Sequence, residues 1–373
     1  MGKYDNLNYA AFSQEKISRR DFTKEQITLA GLNSNVRRQI TNIIIALVLI
    51  SLLFVPSFAQ NSTGIFAFLF IVYAPAVLII AVMLFVDKGG QKQKLRLLKF
   101  AFDNNSLYYA TKTLPPTEPI MFNIGHAGFQ SETLYLADQT MLAKYQYTIS
   151  SDDNNSALLM SRFNIRSFLG LVLALLTTRS RSFSRRTSRT NNNINQQTRK
   201  FNFMQVKLPR AVPHLFINSK KNSINPNGLG YEIEKLKLEG NFSEYFELLI
   251  PPGYHIDALQ ILTPDVMHAL VEYGKDYDFE LIGNELYVYQ GSWMAGTPFD
   301  SEEKMRQFLM VVEHISEQFG QQVERYSDVR AGNVASGLVA AEGAKFKRKS
   351  TIVTSTIITF IIVAVILAVQ LLF

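Results

Sequence analysis

The chain has 373 residues, with 38 basic and 31 acidic side chains and no cysteine. The absence of cysteine excludes disulfide frameworks, thiolate metal centres and cysteine nucleophiles. The net charge of +7 comes from one segment, because residues 154–200 contain nine basic side chains and no acidic one.

Three long segments contain no Asp, Glu, Lys or Arg. They are Ile40–Ala59, Gly64–Val86 and Thr351–Phe373. A helix needs about 20 apolar residues to cross the hydrocarbon core of a bilayer. We therefore predict three transmembrane helices, of which the first two form a hairpin.

The basic residues that flank these segments predict an orientation. Arg37 and Arg38 precede the first segment, basic side chains in 88–99 follow the second, and basic side chains in 345–349 precede the third. Lys and Arg are enriched on the cytoplasmic side of membrane helices. The pattern predicts a multi-pass cell-membrane protein with a cytoplasmic N-terminus and main domain, and with its C-terminus at the outer face.

The composition divides the chain into seven regions. In order, they are a cytoplasmic polar leader (1–36), a transmembrane hairpin (40–86), a first sheet region (88–151), an insert (152–200), an α+β domain (201–330), a basic linker (331–350) and a last transmembrane helix (351–373).

Alternating apolar residues and turn residues predict strands in the first sheet region, after a helix at Gln91–Phe102. The predicted strands are Leu107–Thr111, Ile120–Ile124, Thr133–Leu136 and Leu142–Ile149.

The next region predicts a strand at Tyr245–Ile250 and a helix from the N-cap Thr263 to Gly274. Two further strands flank Gly283 and Asn284, which is a hairpin signal, and a long helix follows Asp300. The predicted fold class is a membrane protein with three transmembrane α-helices and an α+β cytoplasmic domain, in which helices cover one face of an antiparallel sheet.

The insert begins with an apolar helix candidate, Phe168–Leu176, that is too short to cross a bilayer. One interpretation is a helix that dips into the inner leaflet, with arginines against anionic lipid headgroups or another polyanion. The other is a core helix followed by a solvated loop. The arginines concerned are Arg162, Arg166, Arg179, Arg181, Arg185, Arg186 and Arg189.

No motif for nucleotide binding, α/β-hydrolase chemistry or a zinc helix is present, and the five histidines lack metal-ligand spacing. The sequence therefore predicts no catalytic residue, cofactor or metal. Acids are numerous around the helix start and the predicted hairpin, and the helix dipole alone favours acids near a helix N-terminus. These acids are Asp257, Asp265, Glu272, Asp276 and Asp278. Arg210 and His214 are candidate anion contacts.

Two stretches are similar to an uncharacterised family of bacterial membrane proteins. They are Leu208–Lys221, with Pro209, Arg210, Pro213 and His214, and Leu238–Asp265. The resemblance implies a membrane hairpin followed by a cytoplasmic domain of unknown function, and it implies no catalytic residue.

These observations favour a membrane-tethered interaction or scaffold protein that contacts the lipid bilayer and an unknown protein partner. The alternative is a membrane enzyme that acts on lipid or envelope precursors through a site that combines scattered acids with Arg210 and His214. A second alternative is nucleic-acid binding by the insert, although Phe183 is the only aromatic side chain of its Arg-rich tract available for stacking on bases.

Overall fold

The computed structural model describes residues 2–14, 17–32, 40–45, 90–149, 197–221, 230–291, 297–331 and 338–348, with single helical residues between 48 and 84. We number the elements in chain order. The helices are α1 (Ala10–Ser13), α2 (Lys24–Leu29), α3 (90–103), α4 (Phe242–Tyr245), α5 (His255–Ile261), α6 (Pro264–Tyr273), α7 (Glu302–Glu324) and α8 (Ala341–Ala344).

The strands are β1 (Leu107–Tyr109), β2 (His126–Tyr135), β3 (Met141–Ile149), β4 (Gln197–Ser219), β5 (Tyr231–Glu232), β6 (Glu234–Leu236), β7 (Phe246–Ile250), β8 (Asp278–Gly291) and β9 (Lys347–Arg348). All strand pairs among these residues are antiparallel. The fold is therefore α+β, with one large antiparallel sheet.

The seven-stranded sheet is built around β4. This strand pairs with β3 through its first half, with β7 at its end, and with β8 along nearly its whole length. Because β3 and β4 are hydrogen-bonded neighbours, one sheet runs through both sequence regions that precede and follow the insert.

The two faces of the sheet are covered differently. On the helical face, α3, α5, α6 and α7 bury aliphatic residues such as Leu215, Leu281 and Val312. On the aromatic face, Tyr145, Phe201, Phe203 and Tyr289 are packed beneath a short 3₁₀ turn at Ile120–Asn123. Edge-to-face ring contacts such as Phe122 with Phe203, at 4.8 Å between centroids, hold this turn in place.

The prediction of three transmembrane helices is wrong. In the described part of the chain, no helix combines the length and the apolar composition needed to cross a membrane. The longest helix with defined bounds, α7, has the length, but it buries one apolar stripe and exposes charged side chains on the other side. The spans predicted at 40–59, 64–86 and 351–373 lie almost entirely outside the described residues. The predictions of a multi-pass membrane location and of the orientation of the chain depended on these spans, so both predictions are wrong as well.

The predicted hairpin at Gly283 and Asn284 is also wrong. β8 runs through these residues without turning and stays paired with β4, with Gly283 opposite Val212. The register shifts at this point, and Gly283 has a φ of +56°. A glycine in the left-handed region suits a turn, but here Gly283 lies within β8, opposite the part of β4 that holds the extra residues of a β-bulge.

Candidate functional site

The structure brings His214 and Glu280 together on the aromatic face, at the centre of the sheet. His214 lies on β4 and Glu280 on β8, two neighbouring strands. The His214 Nε2 atom is 2.7 Å from Glu280 Oε1, and the two side chains are 1% and 0% exposed. A buried histidine–carboxylate pair is a common part of catalytic sites, so its surroundings decide its role.

Each polar atom of this pair has a partner within the protein. The backbone N–H of Ile120 donates to Glu280 Oε1 at 2.7 Å, and the Tyr289 hydroxyl donates to Oε2 at 2.7 Å. The backbone N–H of Phe346 donates to His214 Nδ1 at 3.0 Å. We call these five residues, Ile120, His214, Glu280, Tyr289 and Phe346, the sealed network.

The hydrogen bonds of the sealed network fix the protonation of the imidazole. Because a backbone N–H can only donate, His214 Nδ1 must accept and carries no proton. The proton is therefore on Nε2, which donates to Glu280 Oε1. Burial, together with the charge of Glu280, raises the pKa of Tyr289 well above its ordinary value, so the hydroxyl stays a donor.

The sealed network lies beside a small cleft. His214 lines this cleft, but both of its ring nitrogens are hydrogen-bonded to protein atoms. The cleft has a volume of about 270 Å³, and its rim includes Glu118, Lys345 and Arg348. Lys345 forms an ion pair with Glu118, and the Phe346 ring stacks on the His214 ring at 3.9 Å between centroids. A nucleophile or metal in this cleft would meet an imidazole whose two nitrogens are already engaged.

A second group of polar side chains lies at the end of α7. The Tyr326 hydroxyl donates to Asp257 Oδ1 at 2.9 Å, and the Tyr254 hydroxyl donates to Asp328 Oδ2 at 3.1 Å. Arg330 pairs with both aspartates and stacks over Tyr254, 3.7 Å from the ring centroid. We call these five residues, Tyr254, Asp257, Tyr326, Asp328 and Arg330, the aspartate clasp.

The aspartate clasp fastens the chain after α7 to the start of α5. Asp328 Oδ2 also accepts the backbone N–H of Ala340 at 3.0 Å. Burial alone would raise the pKa of Asp328, but the hydrogen bonds from Ala340, Arg330 and Tyr254 outweigh it and hold this pKa below the usual 3.8. The clasp and the sealed network therefore both act on the chain after α7, in its described residues 326–331 and 338–348.

The site residues expected from the sequence are only partly brought together. The seven arginines of the insert lie outside the described residues. Arg210 is half-buried in the irregular part of β4 between Lys207 and Val212, and no ion pair is recorded for it within the described residues. His214 is in the sealed network, where both of its ring nitrogens contact protein atoms.

The acids around α5 and α6 do not form a common site. Asp257 belongs to the clasp, whereas Asp265 and Glu272 line an open groove between α6 and α7 with two histidines. In the part of the chain with described coordinates, no group of three or more His, Cys, Asp or Glu side chains is arranged to hold a metal. Glu280 is the residue that sequence reasoning missed, since its only local signal was an acid at an apolar strand position.

Comparison with models of protein families, with curated proteins and with solved structures finds no match to this chain. The resemblance to a family of bacterial membrane proteins, drawn from 208–221 and 238–265, is therefore wrong, as is the fold that it implied.

Proposed function

We propose that this protein is a non-catalytic binding protein, and that its sheet is a rigid support for an interaction surface. The observation that carries this proposal is that every polar side-chain atom of His214 and Glu280 already has a hydrogen-bond partner within the protein. Catalytic acids and bases need an atom free to reach a substrate proton, and the acceptors of His214 and Glu280 are taken by Ile120, Tyr289 and Phe346.

The energetics of such a network also favour a structural role. Buried hydrogen bonds to a charged group contribute about 1.5–3 kcal/mol each, and losing one leaves the partner uncompensated. The network therefore keeps β4, β8, the 3₁₀ turn and the 338–348 segment in fixed relative positions. A binding protein benefits from this rigidity because a preorganised surface loses little entropy on association.

The proposal can be tested with the full chain, purified with its bound partners after mild cross-linking in its own cells. Glu280→Gln should lower the melting temperature, yet at temperatures below that midpoint the variant should retain the same partners. The matched control is Glu118→Gln, the same change at an exposed ion pair, which should leave both properties unchanged.

A different result would overturn the proposal. If the purified chain converts an added compound, and Glu280→Gln abolishes this turnover while the melting temperature stays constant, then Glu280 is a catalytic residue.

A further inference from the structure

An apolar groove lies along one side of α6, between this helix and the loop that precedes α4. Its volume is about 470 Å³, which is within the range of ligand clefts. Phe242 is part of its lining and is 2% exposed, and the Phe242 ring stacks on Phe246 with centroids 5.0 Å apart. Met267 and Val271, one helical turn apart on α6, also line the groove and are partly buried. We call this cleft the α6 groove.

Carboxylates border the α6 groove. Glu239 lies on its loop side and Glu272 lies on α6, and both residues are exposed. Glu272 also lines the neighbouring groove between α6 and α7, together with Asp265 and Glu317. Among the described residues that line either groove, none is Lys or Arg. The surface around α6 is therefore acidic, although the chain as a whole has a net charge of +7.

The carboxylates of this surface are accessible to a partner. Glu272 and His268 are 3.4 Å apart, and their side chains are 50% and 78% exposed. Lys220 donates to the backbone carbonyl of Ser243, and it does not line the groove. Exposed carboxylates without a cationic neighbour attract positive charge and repel the phosphates of nucleic acids and anionic lipids. The α6 groove therefore combines an apolar floor with a rim that selects cations.

We propose that the α6 groove is the docking site for a partner protein, and that the docking segment has apolar side chains flanked by lysine or arginine. The apolar side chains lie against Phe242, Met267 and Val271, and the basic side chains lie beside Glu239 and Glu272. An amphipathic helix presents this pattern, with its apolar face in the groove. This inference rests on the proposed binding function and names its surface and its class of partner.

The test uses three labelled peptides of about 14 residues on the full-length chain, with binding measured by fluorescence anisotropy at low salt. The first peptide has leucine at helical spacing and lysine elsewhere, the second has glutamate in place of lysine, and the third has serine in place of leucine. The leucine–lysine peptide should bind about tenfold more tightly than either of the others. Equal affinity for this peptide and either of the others would overturn the inference, and so would a lack of binding at about 100 µM.

Reversal of one charge locates the binding. Glu272→Lys should weaken binding of the leucine–lysine peptide about fivefold and should strengthen binding of the leucine–glutamate peptide. The control is Glu324→Lys, the same change at an exposed residue of α7 that lines neither groove. Equal effects of the two variants would mean that net charge alone attracts the peptide, and would overturn the assignment to the α6 groove.

A polar substitution tests the apolar floor. Met267→Gln keeps the length of the side chain and makes it polar, so the leucine–lysine peptide should bind about fivefold more weakly. Met310→Gln is the control, because Met310 is 45% exposed on α7 and lines neither groove. Unchanged affinity in Met267→Gln would contradict the assignment, and the three peptides on the unmodified chain remain decisive if this variant does not fold.

Sedimentation of the full-length chain distinguishes a partner protein from a second copy of this chain. If the chain forms a dimer that Glu272→Lys separates into monomers, the groove is an interface between copies and the inference is overturned. If the chain retains its cellular partners in Glu272→Lys and does not bind the leucine–lysine peptide, this inference fails while the proposed binding function stands.

Discussion

The Glu280 carboxyl group lies where no solvent reaches it, and three groups donate hydrogen bonds to it. His214 is the donor that can be removed most informatively, because its loss also leaves the Phe346 N–H without an acceptor. His214→Ala should destabilise the chain by about 3 kcal/mol, measured by urea unfolding. The control is His268→Ala on the exposed side of α6, which should change stability by less than about 0.5 kcal/mol. Similar losses for the two variants would contradict the buried pairing.

Two buried tyrosine hydroxyls test whether Glu280 is ionised. The Tyr289 hydroxyl donates to the Glu280 carboxylate, and the Tyr145 hydroxyl donates to the backbone carbonyl of Phe122. A hydrogen bond to a charged group contributes about 1.5–3 kcal/mol, against about 1 kcal/mol for a neutral pair. Tyr289→Phe should therefore cost more unfolding free energy than Tyr145→Phe. The reverse order would mean that the carboxyl is protonated in the folded state.

Two glycines in different elements should respond to alanine with opposite signs. Gly283 has a φ of +56° in β8, opposite the bulge of β4, so Gly283→Ala should destabilise the chain by about 1 kcal/mol through backbone strain alone. Gly320 lies inside α7 with open space around it, and Gly320→Ala should stabilise the chain by about 0.5–1 kcal/mol. Thermal unfolding of both variants measures the difference. Stabilisation by Gly283→Ala would rule out the left-handed backbone at Gly283.

Elements with local signals were predictable from the sequence. The helix predicted from Thr263 to Gly274 is α6, with those two residues as its caps, and the predicted strand Leu142–Ile149 is β3 with one more residue. The long helix begins after Ser301 rather than Asp300, because Ser301 accepts the backbone N–H of Lys304. By contrast, the predicted strand Ile120–Ile124 is a 3₁₀ turn, because its buried residues pack on the aromatic face and do not join a sheet.

Contacts between distant residues explain the wrong predictions. Gly283 lies opposite a bulge of β4, a distant strand, and the role of His214 depends on an acid 66 positions away. A periodic pattern describes one element at a time, so it could identify His214 as a notable residue but could not identify its partners. The α6 groove is likewise visible only once α6 packs beside residues 239–242.

At the scale of the whole molecule, the aspartate clasp makes stability depend on pH. The folded pKa of Asp328 lies below the usual 3.8. The stabilisation that it provides is therefore present above the unfolded pKa and is lost as the pH falls through the folded pKa. The unfolding free energy should decrease as the pH falls below about 4, and Asp328→Asn should show a smaller decrease.

A matched variant distinguishes the clasp from general acid denaturation. Asp276→Asn removes an exposed carboxylate that pairs with Lys221, and it should retain the full acid dependence. Hydrogen exchange should also be faster at 338–348 in Asp328→Asn than in wild type, because the Ala340 N–H loses its charged acceptor. Unchanged exchange there would show that the clasp does not hold this segment.

The bond between Phe346 and His214 joins residues 132 positions apart. During synthesis on the ribosome, β4 emerges long before Phe346 does, and the imidazole then has no donor for Nδ1. The aromatic face therefore reaches its final form only after Phe346 has been synthesised, and until then its rings are open to contact with other chains.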